Sequence, residues 1–101
     1  MTEVEIGIIE DFIARRFKHD NAWTDGNCYW AAWIITERFP CLKIYYIVDK
    51  GHFVACDTGE DVFFDARGLY EKVPDSQLVS LDWICAFEPS WYERLMRDCR
   101  N

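Results

Sequence analysis

The chain has little glycine and proline, only two histidines, no long apolar run and a deficit of positive charge. No apolar stretch approaches the roughly 20 residues of a membrane span. The start, Met1-Thr2-Glu3-Val4-Glu5, lacks the basic and apolar regions of a secretion signal. A cytoplasmic protein with no membrane partner is therefore expected. Five Gly and three Pro are scattered along 101 residues, so no linker, repeat or low-complexity tract divides the chain, and its length suits a single domain, 1–101. Eleven Lys and Arg against eighteen Asp and Glu give a formal charge of −7. Such a surface repels phosphate backbones, so nucleic acid is not the expected partner. Cys28, Cys41, Cys56, Cys85 and Cys99 form no Cys-x-x-Cys pair, and neither a disulfide framework nor a zinc knuckle is suggested.

What is present is apolar and aromatic. Half of the residues are hydrophobic and 17% are aromatic, which is ample material for a core and speaks against disorder. Thr2 and Glu5 have capping-box spacing, and Ile6, Ile9, Ile13 and Phe17 recur every three or four residues, predicting an amphipathic helix over 3–18. Residues 19–26 are polar turn formers and read as a loop. From Cys28 to Phe39 apolar residues point to every side, the pattern of a helix buried all round, with Trp30 and Trp33 read as core and Pro40 as the stop.

Runs over 43–48, 52–57 and 62–65, rich in β-branched and aromatic residues and separated by turn residues, predict a three-stranded antiparallel meander. The stretch 78–87 fits a short strand or a helical turn. Pro89-Ser90-Trp91 opens a terminal helix over 90–99. The expected fold class is α+β: a buried helix packed against a small antiparallel meander sheet, with N- and C-terminal helices.

Among the cysteines, Cys28 is distinctive because the polar turn Asp25-Gly26-Asn27 delivers it to the first turn of the buried helix. A helix start carries unpaired N–H groups and a partial positive charge, which favour thiolate over thiol. The same N–H groups can face an oxyanion that forms when the sulfur attacks a carbonyl. A base is also needed. His52 opens the second strand, whereas His19 lies in the loop. Asp65 is the candidate that orients the imidazole. If the Thr58–Asp61 turn closes symmetrically, Asp57 pairs with Val62 and Val54 opposes Asp65. His52 and Asp65 are then diagonal neighbours on one face. A one-residue slip would send Asp65 to the other face.

Gly26-Asn27-Cys28 opening an aromatic helix, Gly51-His52-Phe53 opening a strand and Phe64-Asp65 ending the next resemble the papain-like superfamily of cysteine hydrolases. The order Cys, His, Asp looks most like its transglutaminase-like branch. The resemblance covers residues 26–68 and implies a minimal papain-like core. It also implies an enzyme, a cysteine-dependent acyl hydrolase or acyltransferase that acts on an amide or peptide bond through a thioester. Cys28 would be the nucleophile, His52 would shuttle the proton and Asp65 would orient it. No metal or organic cofactor is implied. The substrate would carry an amide or peptide bond and could itself be a protein. Papain-like peptidases place a Gln upstream of the cysteine as oxyanion donor, but the single Gln here is Gln77; Asn21, Trp23 or Asn27 would have to substitute.

Blander readings stand beside these. Cys28 could be an apolar filler, His52 a hairpin residue satisfied by backbone, and Asp65 a strand-end carboxylate. Asp57, Glu60 and Asp61 read as a solvated turn tip rather than a calcium loop, and Arg67 as a partner of the acidic surface. The alternative function is a non-catalytic protein-interaction module on the same scaffold. A third class is a nucleic-acid mimic that presents its negative surface to a basic protein.

Overall fold

Thr2 starts the first helix as the spacing predicts. Its Oγ1 accepts from the Glu5 backbone N at 3.2 Å, and the Glu5 carboxylate accepts from the Thr2 backbone N at 3.3 Å. This reciprocal box satisfies two donors that the first helical turn would otherwise leave open. Helix α1 runs Glu3–Phe17, with Glu3 and Glu5 in the first turn and Arg15 and Arg16 in the last, matching the sign of the helix dipole at each end. Ile9, Ile13 and Phe17 form its buried face. The computed structural model describes residues 1–18 and 28–100, except the side chains of 98–100. The predicted loop 19–26 lies outside the described residues.

Helix α2 spans Cys28–Arg38 and buries Cys28, Tyr29, Ala31, Ala32 and Ile35. It is not buried all round, contrary to the sequence expectation: Trp33 is 44% exposed and Trp30 is half-buried. A helix lying on one face of a sheet has an outer side, and Trp33 points there.

The sheet has five strands, not three. They are β1 Lys43–Ile47, β2 His52–Asp57, β3 Val62–Asp65, β4 Gly68–Tyr70 and β5 Leu78–Ser80, in spatial order β4-β3-β2-β1-β5. Every pairing is antiparallel. The central meander is the one expected, and its register is the symmetric one, with Asp57 opposite Val62, Cys56 opposite Phe63 and Ala55 opposite Phe64. The two added strands have three residues each, too short for an alternating pattern to stand out. After β5 comes helix α3, Leu81–Phe87, capped by the Ser80 hydroxyl, which accepts from Trp83 N at 3.1 Å. Residues 78–87 therefore contain both a strand and a helix. Helix α4 is Pro89–Arg100.

Alternation along the strands gives the sheet two apolar faces. Ile44, Phe53, Ala55 and Phe64 pack with residues of α1, α2 and α4. Ile47, Val54, Cys56 and Phe63 form a second cluster with Val73 on the opposite face. Phe17, Phe53, Phe63 and Phe64 are essentially inaccessible, and each contributes about 1.5–3 kcal/mol by leaving water. The result is a mixed α+β fold with helices flanking an antiparallel sheet. No helix among the described residues is long and apolar enough to cross a membrane.

Candidate active site

His52 is the first residue of β2, directly after Gly51, which closes the β1–β2 turn with φ 62 and donates its N–H to Ile47 O at 2.9 Å. A side-chain-bearing residue would be strained at that φ. The turn therefore holds the imidazole at the end of the sheet, with its side chain 13% exposed. Extending the β2–β3 register by one step sets Val54 opposite Asp65, so His52 and Asp65 lie diagonally on one face. Their side chains meet, with Nε2 3.1 Å from Asp65 Oδ2.

Asp65 ends β3 and is the one buried charged residue among the described residues, at 7% exposure. Both of its oxygens are engaged, because Oδ1 accepts from the Arg67 backbone N at 2.9 Å in the tight turn to β4. That turn needs Gly68 at φ 115, opposite Asp65 in the register. A carboxylate held at both oxygens cannot swing away from the imidazole.

Cys28 begins α2, is 6% exposed, and packs with Tyr29, Phe53 and Met96. It lies close enough to His52 to be among the groups that raise the pKa of that imidazole. Burial alone would lower the His52 pKa; the hydrogen bond to Asp65, then that to Cys28, together with the negative charge of both partners, outweigh it and raise the pKa from 6.5 to about 9. The imidazole therefore carries a proton at neutral pH.

The other described thiols lie in different surroundings. Burial, with Asp57 adding to it, pushes the Cys56 thiol up to about 12. Cys85 is also raised, by burial and by Asp82, and Cys41 is exposed. Helix-start placement is the sequence signal that separates Cys28 from them.

The remaining sequence candidates divide into two groups. Asn21, Trp23, Asn27 and His19 lie outside the described residues. The acidic turn is committed to structural contacts: Asp57 Oδ1 accepts from Gly59 N at 3.1 Å, Glu60 holds the Met1 ammonium at 3.0 Å, and Asp61 pairs with Lys72 at 3.1 Å. No group of three or more His, Cys, Asp or Glu side chains among the described residues is placed to hold a metal ion. Sequence reasoning missed Tyr70, whose ring lies against His52 with centroids 5.6 Å apart. The Asp65-Ala66-Arg67-Gly68 turn was the available clue, since a two-residue hairpin there returns Tyr70 to the face of Asp65.

The chain belongs to the phage YunG-like protein family, whose profile matches residues 6–97. No curated protein and no solved structure matches it.

Proposed function

We propose that this chain is a cysteine-dependent acyl hydrolase or acyltransferase that acts on an amide or peptide bond through a thioester, on a minimal papain-like or transglutaminase-like core. The observation that supports this reading is the 3.1 Å contact between His52 Nε2 and Asp65 Oδ2, with Cys28 among the groups that raise the His52 pKa.

In the proposed reaction Cys28 attacks as thiolate, and a C–S bond forms while the carbonyl electron pair moves onto oxygen. The α2 start supplies N–H donors and positive potential for that oxyanion. Collapse of the adduct breaks the C–N bond, and protonated His52 gives its proton to the departing nitrogen. Water, or an amine for transfer, then attacks the thioester. His52 takes the proton of the incoming group, the C–S bond breaks, and thiolate and imidazolium are restored. Asp65 keeps the imidazole aligned through both halves. Asn21, Trp23 and Asn27 remain the candidate additional oxyanion or substrate donors. The chemistry uses no cofactor.

The test is alkylation by iodoacetamide at pH 6, read by peptide mass mapping. Cys28 should be modified at least tenfold faster than Cys41 and Cys85, and His52→Ala should remove that advantage. Equal, slow modification of all three would overturn the proposal. A second reading, a protein-interaction module on this scaffold, is favoured by one observation: Trp33, Trp83 and Phe87 are large and exposed. It predicts that Cys28→Ala leaves partner capture intact while Trp83→Ser weakens it.

A further inference from the structure

We infer that Tyr70 is a positioning residue whose ring packs beside the His52 imidazole and holds it in the rotamer that serves Cys28 and Asp65 together. This inference rests on the acyl-transfer reading of the same site.

The imidazole moves by rotation about Cα–Cβ and Cβ–Cγ. An aromatic ring packed beside it restricts both rotations and so keeps the ring in the rotamer that meets Asp65. The Tyr70 and His52 centroids are 5.6 Å apart with ring planes inclined at 36°, within the roughly 4.5–7 Å of favourable aromatic pairs. The register delivers this contact. Tyr70 stands opposite Phe63 and Gly68 opposite Asp65, so Tyr70 projects from the face that carries Asp65 and His52.

An aromatic face within about 6 Å also attracts a cation and so favours the imidazolium over the neutral ring. Among the described residues, the ionisable groups that face His52 are Cys28 from α2, Asp65 from β3 and Tyr70 from β4, while Ile47, opposite it on β1, is apolar. The Tyr70 hydroxyl is itself pushed above its ordinary value by burial and then by Glu71, Asp65 and Asp49. It therefore stays neutral through the His52 titration and acts as a ring, not a charge.

The experiment compares the whole chain with Tyr70→Phe, Tyr70→Leu and Tyr70→Thr. Two readouts are used: the NMR titration of the His52 ring proton and the rate of Cys28 alkylation by iodoacetamide at pH 6. Removing the ring should lower the His52 midpoint by about half a unit and slow alkylation about threefold. Tyr70→Phe should restore both, which loss of a hydroxyl contact or general loosening would not allow. Thr is a strand former, so one non-aromatic variant keeps its fold if Leu does not. Wild-type midpoint and rate in a folded Leu or Thr variant would overturn the inference, as would a Phe variant that behaves like Leu. Slow alkylation of wild-type Cys28 would instead refute the acyl-transfer reading, with the His52 titration still deciding whether Tyr70 holds the ring.

Discussion

His52 and Asp65, thirteen positions apart in the chain, meet at 3.1 Å between Nε2 and Oδ2. The β2–β3 hairpin sets this relationship and the turn to β4 holds the carboxylate, whereas the influence of Cys28 on His52 joins a strand to a helix that precedes it by a whole further strand. The two halves of the site therefore depend on different interactions and respond to different substitutions.

Removing the carboxylate tests the first half. Asp65→Asn keeps the size and loses the charge, so the His52 titration should fall from about 9 toward 6.5. Cys28 alkylation at pH 6 should slow by about tenfold. An unchanged NMR midpoint would show that Asp65 does not govern the imidazole.

The same shift makes stability depend on pH. The folded pKa of His52, about 9, is above the unfolded 6.5. Its contribution is therefore fully present below about pH 6.5 and is lost as pH rises through about 9. His52→Gln should be less stable than wild type by on the order of 2 kcal/mol at pH 6, and urea titrations should show that gap closing by pH 9.5. A gap that widens with pH would contradict the ion-pair description.

Gly68 is required by backbone geometry rather than by packing. Its φ is 115, and an added Cβ would come no nearer than 4.0 Å to the Glu10 carboxylate. Gly68→Ala should therefore cost about 1–3 kcal/mol through backbone strain alone. Because the same turn supplies the Arg67 N–H that holds Asp65 Oδ1, the His52 midpoint should shift with it. Urea denaturation and the NMR titration read the two effects separately.

Two aromatic residues of similar sequence context should differ sharply. Phe53 is 1% exposed, with Tyr29 and Tyr46 rings at 5.3 and 4.9 Å, while Trp33 is 44% exposed. Phe53→Ala should cost about 3–5 kcal/mol. Trp33→Gln should change stability by less than about 1 kcal/mol. Equal losses in thermal or urea unfolding would mean that Trp33 belongs to the core after all.

The reading of individual elements from sequence succeeded where a local rule was strong. The Thr2–Glu5 box marks the start of α1, and the short symmetric turn after Asp57 predicts the register that joins His52 to Asp65. It failed where only position in the fold discriminates. Around α2 the apolar run masks the polar signal of Thr36 and Glu37, three and four residues after Trp33 on its face, so the sequence places Trp33 in a core it does not enter. Strands β4 and β5 are too short to show an alternating pattern, and only the Asp65–Gly68 turn hints that Tyr70 returns to the face of Asp65.

Local chemistry, then, was written in the amino-acid order: caps, turn residues, strand alternation and a cysteine at a helix start all act within a few residues of themselves. Which side of α2 meets the sheet, and that its first residue lies beside the first residue of β2, are consequences of packing. They depend on how two apolar sheet faces share helices that are distant in the chain, and no short window of sequence contains that competition.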